Sequence, residues 1–398
     1  MSRRHLTARE AASTLGISIA SLYAYVSRGL LRSEAGPGPS RARLYMVEDV
    51  ERLRTRKEGR RDPGRVAQKA LNWGSPVLDS AITRIDGGEV YYRGENVRVL
   101  AAQRTVEEVA SLVWRGAVNA VDWSHGLTAH DRELRRRVKQ VAGGLPLIDQ
   151  FEILLALAGP HDETAFDLRP AAVPRAGVRI LRLLTEMASH QSSREGLGRA
   201  LARGWAPRVR DAESLLSAAL IVCADHELNI SAFTARCVAS GHSTPYSVVA
   251  AGLHALTGAK HGGESVRVES LLQRLKAPRD ARAIVTDALR HGERVPGFGH
   301  PLYPDGDPRA KHLLGALADR RGKPDAVGNA LAAAMLDLTG EHPTIDFSLV
   351  MLARALSLPE GSPLALFAIG RSIGFIGHAI EQYESGTMIR PRARYVGR

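Results

Sequence analysis

From about residue 98 to residue 383 the chain reads as a succession of amphipathic helical segments, and this periodicity limits the possible folds more than any other feature. Apolar residues, many of them alanine and leucine, recur at three- and four-residue spacing over 98–114, 131–142, 148–158, 176–190, 211–223, 228–240, 245–257, 266–275, 278–291, 309–319, 325–337, 345–357 and 362–383. Strands do not alternate with them, which argues against a doubly wound sheet or a β/α barrel. No internal repeat and no glycine-rich phosphate loop is present. The segment 78–96, with Asp86-Gly87-Gly88 between two short extended runs, predicts a hairpin. A mainly α-helical body follows, and 398 residues are enough for two or three domains.

The first sixth of the chain differs in charge. The net charge is +12, and residues 1–61 carry thirteen Arg and Lys against six acids, which accounts for seven of those twelve charges. Such a surplus favours anionic partners. Thr7 with Glu10 predicts a capping box opening a helix over 6–15. Ser18 caps a second helix over 19–28, with Leu22, Tyr25 and Val26 on one face. Gly36-Pro37-Gly38-Pro39-Ser40-Arg41 reads as a hairpin tip, residues 42–45 as a strand, and Val47 to Lys57 as a third helix. Helix, turn, helix and basic wing form a DNA-binding arrangement. Ser21 to Leu31, with Arg43-Leu44-Tyr45 and Asp49-Val50-x-x-Leu53, resembles the winged helix-turn-helix of MerR-type and excisionase-type regulators, with Tyr23 where that family usually has arginine. The resemblance implies a module over 1–58 in which Arg28, Arg41 and Arg43 contact DNA phosphates. Residues 59–75 read as a linker.

Composition adds a few bounds. Apolar residues make up 44% and charged residues 24%, as in soluble globular proteins. No uninterrupted apolar run nears the roughly 18 residues of a membrane span, and no apolar stretch follows the basic start, so a cytoplasmic protein without a signal peptide is expected. Cys223 and Cys237 form no C-x-x-C and are expected as two buried thiols.

Polar residues cluster on short, often glycine-marked segments: Asp225-His226-Glu227-Leu228-Asn229, Lys260-His261-Gly262-Gly263-Glu264, Pro296-Gly297-Phe298-Gly299-His300, Asp307-Pro308-Arg309, Thr344-Ile345-Asp346-Phe347, Gly370-Arg371 and Ile389-Arg390-Pro391-Arg392. Each alone has a plain structural reading: Asp346 as a helix cap, Arg371 as a paired helix residue. Asp225, His226 and Glu227 lack a second group of matching spacing, so no metal site is expected. Taken together and in this order, the segments resemble the signature segments of citrate synthases, as do Ile82-Thr83-x-Ile85-Asp86-Gly87 and Tyr92-Arg93-Gly94. The resemblance covers residues 76–398.

It implies a two-domain, mainly α fold, with a large domain over 76–260 and 359–398 and a small domain over 261–358, assembled as a homodimer. It implies an acyltransferase joining acetyl-CoA, or a close acyl-CoA, to oxaloacetate. CoA is then a cosubstrate, and no bound cofactor or metal is needed. Asp346 is implied as the base, His261 as the hydrogen-bond donor to the enolate, and His300 as the acid on the oxaloacetate ketone. His226, Arg309, Arg371 and Arg390 are implied as substrate ligands; guanidinium suits the two carboxylates of oxaloacetate. Two stretches depart from the family: Pro301-Leu302-Tyr303-Pro304 after His300, and Ser348-Leu349-Val350 after Phe347. The second bears on acyl preference. Three alternatives stay open: a 2-methylcitrate synthase, a citryl-CoA lyase, and a DNA-binding regulator whose synthase-like body senses a metabolite.

Overall fold

A computed structural model describes residues 5–28, 30–35, 43–47, 49, 50, 53, 78–320, 325–393 and 395–397. The chain divides into two compact units, Met1–Asp79 and Ser80–Arg398.

The first unit opens with β1 (His5–Thr7) and α1 (Ala8–Leu15). The Thr7–Glu10 capping box forms as expected, and Gly16 closes the helix in the left-handed region. Helix α2 (Ile19–Ser27) starts at the Ser18 cap. Strands β2 (Ser33–Ala35) and β3 (Arg43–Met46) follow, and the antiparallel sheet runs β1-β3-β2. The sequence reading found β3 but missed β1 and β2, which are three residues long and too short to show alternation. Leu22, Leu31, Tyr45 and Val50 pack with Ala11, Ala12 and Leu15 in a small core. The buried Asp49 carboxylate accepts from the Arg32 backbone N–H at 3.0 Å and from its guanidinium at 2.9 and 3.1 Å. That pair ties β2 to the start of the third helix, of which Val47, Asp49, Val50 and Leu53 are described as helical. The wing tip, the linker and Arg41 lie outside the described residues.

The second unit begins with a three-stranded antiparallel sheet, β4 (Thr83–Asp86), β5 (Glu89–Tyr92) and β6 (Glu95–Asn96), one strand more than the predicted hairpin. The helices are α3 (Val97–Gln103), α4 (Val106–Arg115), α5 (Ala129–Ala142), α6 (Leu147–Ala158), α7 (Val173–Ser189), α8 (Leu197–Trp205), α9 (Ala212–Cys223), α10 (Ile230–Ser240), α11 (Pro245–Leu256), α12 (Gly263–Arg274), α13 (Ala281–Arg290), α14 (Pro308–Ala318), α15 (Ala326–Thr339), α16 (Ile345–Leu356) and α17 (Ser362–Ser385). The single helix expected over 98–114 is two, because Arg104 is extended and Thr105 caps α4 in a box with Glu108. Helix α8 was not anticipated; its nine residues hold two glycines, which weaken the helical signal.

Two apolar cores result. The larger gathers α3 to α11 around α17. By length and mean hydropathy α17 is long and apolar enough to cross a membrane, but Arg371 interrupts it and its neighbours enclose it, with 94% of its apolar window buried, as in a core helix. The smaller core joins Val268, Leu271 and Leu272 of α12 with Val285, Phe298, Leu331, Met335, Phe347, Val350 and Met351. Helix α16 serves both: Ile345, Leu349, Leu352 and Leu356 face the larger core, Phe347, Val350 and Met351 the smaller.

Contact between α17 and α9 depends on glycine. A Cβ on Gly374 would lie 2.4 Å from the Ala224 carbonyl oxygen and 2.6 Å from Asp225 Oδ1. The Gly374 N–H donates to that same carbonyl at 2.9 Å. Gly374→Ala is therefore expected to destabilise the body by about 2–3 kcal/mol, read as a lowered midpoint in urea denaturation; an unchanged midpoint would show that the two helices separate at little cost.

Candidate active site

The site assembles where the end of α9, the turn before α12, the loop before α14 and the starts of α14 and α16 meet α17. Asp225, just past α9, is fully buried and heavily bonded. Its carboxylate accepts from Thr83 Oγ1 at 2.6 Å and pairs with His378 Nε2 at 3.1 Å, while its N–H donates to the Tyr92 hydroxyl at 3.1 Å. Burial alone would raise its pKa, but His378, Arg371 and Thr83 outweigh that and hold it below the usual carboxylate range.

Arg371 is fully buried in the middle of α17. Its Nε donates to the Cys223 carbonyl at 2.8 Å, and its guanidinium stacks 4.7 Å above the Phe367 ring. Both terminal nitrogens are buried without a hydrogen-bond partner. Burial lowers its pKa, and Asp225 acts against this. An arginine stays charged in such a setting, so the site holds a cation with four N–H bonds unused.

Arg309, also buried, is balanced within the chain. Its Nε and Nη2 donate to the two oxygens of Asp307 at 2.9 and 2.7 Å. Asp307 in turn caps α14 through the Arg309 N–H at 3.0 Å and accepts the Ile345 N–H at 3.2 Å. One carboxylate thus fixes the first turns of both α14 and α16.

Three imidazoles lie nearby. His226 Nε2 is 2.7 Å from the Tyr303 hydroxyl, and its ring meets that of His300 edge-on at 5.5 Å. Burial, then Arg309 and Arg371, hold its pKa well below the ordinary histidine value. His300 Nδ1 accepts the Leu302 N–H at 3.2 Å, which puts the neutral ring's proton on Nε2. Burial and Arg309 lower its pKa to about 4. His261, on the turn before α12, has its Nε2 2.7 Å from Ser231 Oγ, and burial with Arg371 and Arg309 lowers its pKa to about 4. All three rings are therefore neutral at pH 7, and each keeps one N–H while adding no charge of its own.

Asp346 sits in the first turn of α16, but Thr344 holds the N-cap position, which overturns the reading of Asp346 as a cap. The Asp346 Oδ1 is buried with no hydrogen-bond partner. Burial first, then the Glu264 carboxylate, push its pKa up to about 7, against the pull of Arg309. A carboxyl in this state can take up or release a proton near neutrality.

Six of the seven residues proposed from the sequence for catalysis and substrate binding are thus gathered in one place. The seventh, Arg390, is exposed on the segment after α17, with no ion pair among the described residues. Arg28 and Arg43 are exposed on the first unit, where Arg43 donates to Ser33 Oγ at 3.0 Å. Sequence reasoning passed over Tyr303, Ser231 and Glu264. Tyr303 carried a signal, three residues past His300; Ser231 reaches His261 across thirty residues and carried none. Cys223 is buried as expected, but Cys237 is half-exposed. Among the described residues no three His, Cys, Asp or Glu side chains converge in the manner of a metal site.

Comparison with known proteins agrees with this geometry. Residues 70–392 match the family model for citrate synthase, C-terminal domain. The chain belongs to the citrate synthase family. Residues 6–61 match the MerR HTH family regulatory protein model. The citrate synthase of Haloferax volcanii is 32% identical over 359 residues, covering 81% of this chain and 93% of that one. The 2-methylcitrate synthase 2 of Corynebacterium glutamicum is 34% identical over 194 residues, about half of each chain. The crystal structure of the Thermotoga maritima citrate synthase superposes with a TM-score of 0.69 at 27% identity, covering 83% of this chain and 96% of that one. The chain is an acyltransferase of citrate synthase type, carried on a mainly helical fold behind a small helix-turn-helix domain.

The raised pKa of Asp346 has a consequence for stability. The folded state holds the Asp346 proton more tightly than the unfolded chain does. The resulting stabilisation is complete below the ordinary carboxylate value and is lost as pH rises through about 7. Asp346→Asn, neutral at every pH, is expected to be more stable than the native protein at pH 8 by an amount on the order of 2–4 kcal/mol. The gap should close below about pH 4, as urea denaturation across pH will show; a pH-independent gap would mean that Asp346 has the same pKa in the folded and unfolded chain.

Proposed function

We propose that these residues carry out the family's condensation of an acyl-CoA with oxaloacetate, and that Asp346, whose Oδ1 is buried without a hydrogen-bond partner, is the base; that observation carries the reading. Asp346 takes a proton from the methyl carbon of acetyl-CoA. Negative charge builds on the thioester oxygen, where His261 donates a hydrogen bond. For His261 to donate from Nδ1, the single Ser231 hydroxyl proton must turn from Asn229 Oδ1, 2.9 Å away, to Nε2 at 2.7 Å. The enolate carbon bonds to the ketone carbon of oxaloacetate, and His300 passes its Nε2 proton to the new alkoxide. Water then cleaves the thioester to give citrate and free CoA. The open N–H groups of Arg371 suit one substrate carboxylate, and Arg309 suits the other. His226 completes the substrate contacts beside Tyr303. No metal or prosthetic group takes part.

The two cores support a division into a large domain over 76–260 and 359–398 and a small one over 261–358, with the reacting groups between them. In a cytoplasmic homodimer the exposed Arg390 is available to either copy's site as a further carboxylate ligand. A second activity, DNA binding through the first unit, is favoured by the MerR match over 6–61 and by the basic surplus there. Arg28, Arg41 and Arg43 are its proposed phosphate contacts, and a dimer then prefers a two-fold symmetric site.

Thiol release from acetyl-CoA tests the main reading. Release is expected to require oxaloacetate and to fall by about 10³-fold in Asp346→Ala, while Arg371→Leu raises the KM for oxaloacetate by about 10²-fold. Release with propionyl-CoA alone would assign the longer acyl chain. No release with either ester from folded protein that still binds oxaloacetate would favour the regulator.

A further inference from the structure

We propose that Glu264 is a positioning residue for this reaction, tying the loop that carries His300 to the turn that carries His261; the proposal rests on the synthase reading above. Glu264 lies three residues after His261, in the first turn of α12, and is buried despite its charge. One carboxylate oxygen accepts the Gly297 N–H at 3.0 Å, three residues before His300. The other accepts from Arg267 at 3.0 Å, on the side where Arg267 meets solvent.

Gly297 is held tightly from every direction. Its φ is +87°, and a Cβ there would lie 2.6 Å from Val268 Cγ2 on α12 and 3.1 Å from Phe347 Cβ on α16. Its carbonyl accepts the N–H of Thr344, the cap of α16, at 2.9 Å. The next glycine, Gly299, donates to the His342 carbonyl at 3.0 Å. The Gly297 residue therefore reaches toward His261 through its N–H and toward Asp346 through its C=O. Glu264 supplies the first of these links, and no element of regular structure replaces it. Three reacting groups from three separate segments depend on that register.

The same carboxylate has a second effect through its charge. The groups acting on Asp346 are Glu264 from α12, Arg309 and Asp307 from the start of α14, and a hydrogen bond from its own backbone. Burial contributes most to keeping Asp346 basic, and Glu264 comes next. Length and charge at position 264 can be separated. Glutamine keeps an oxygen within reach of Gly297 and removes the charge; aspartate keeps the charge and withdraws the oxygen by one methylene.

The experiment compares Glu264→Asp and Glu264→Gln in the full chain, by amide hydrogen exchange of the peptide containing Gly297 and by the pH dependence of kcat and KM. Glu264→Asp is expected to speed exchange at Gly297 and to lower kcat at least about 10-fold. Its KM for oxaloacetate should stay within about twofold and its acid limb in place, because the arginines are untouched and the charge remains. Glu264→Gln is expected to retain native exchange and a kcat within about threefold, with the acid limb of kcat/KM moved to lower pH. Native exchange at Gly297 in Glu264→Asp, or faster exchange in Glu264→Gln alone, would overturn the link. If the native protein releases no thiol, the reaction reading fails, and the exchange comparison still decides whether Glu264 holds the loop.

Discussion

Arg371 sits at the centre of the longest helix in the body, out of reach of water, with two of its three nitrogens unpartnered. An isolated buried charge is among the most expensive features a fold can contain. Much of the surrounding architecture serves to hold it. The Cys223 carbonyl takes its Nε, Phe367 covers one face, and Asp225 supplies the nearest opposing charge. Asp225 is in turn held by Thr83, Tyr92 and His378, which draws the first sheet of the body and a second turn of α17 into the same network. The glycine contact at Gly374 lets α17 come close enough to α9 for those bonds to form. What remains unsatisfied is the part of the guanidinium that an anionic ligand would fill.

The second constraint is the position of α16 between two cores. Its residues alternate between them, so the helix cannot rotate without exposing apolar surface on one side. Asp346 lies at its first turn, where Asp307 holds the Ile345 N–H and also neutralises Arg309. The Asp346 carboxyl is thereby fixed to Arg309, the arginine proposed as a substrate ligand, through one acid that serves both. Rigid first turns matter here because general-base catalysis depends on distance before it depends on pKa.

Much of this was legible in the sequence. Nearly all the helices of the body follow from apolar periodicity, since each buries one stripe against a core. The polar segments stood out because charge beside glycine is unusual inside such a helical run. Short elements escaped: β1, β2 and β6 have two or three residues each, too few to show alternation, and β1 pairs with a strand some forty residues on. The break at Arg104 looked helical because a capping box within a continuous apolar pattern leaves the period unchanged. At the site, the residues themselves were visible and their relations were not. Nothing near Ser231 points to His261, and nothing near Glu264 points to Gly297, because such contacts depend on how separate helices pack. Arg390 marks the opposite case, a residue whose motif is clear and whose place in a single chain is the solvent-exposed tail.

The charges of the site follow a single logic. Burial first, and then the nearby buried arginines, make a positive charge on any of the three histidine rings unfavourable. The rings therefore stay neutral and can donate hydrogen bonds without adding to the positive charge. Arginine alone would also make Asp346 too weak a base. Burial and the Glu264 carboxylate act against that pull, and the balance leaves Asp346 near neutrality. An oxaloacetate dianion would cancel the arginine charge on arrival, which removes the main force lowering the pKa of Asp346. If Asp346 is the base proposed above, an oxoacid bound at the arginines would strengthen it, and proton abstraction would be favoured after that binding.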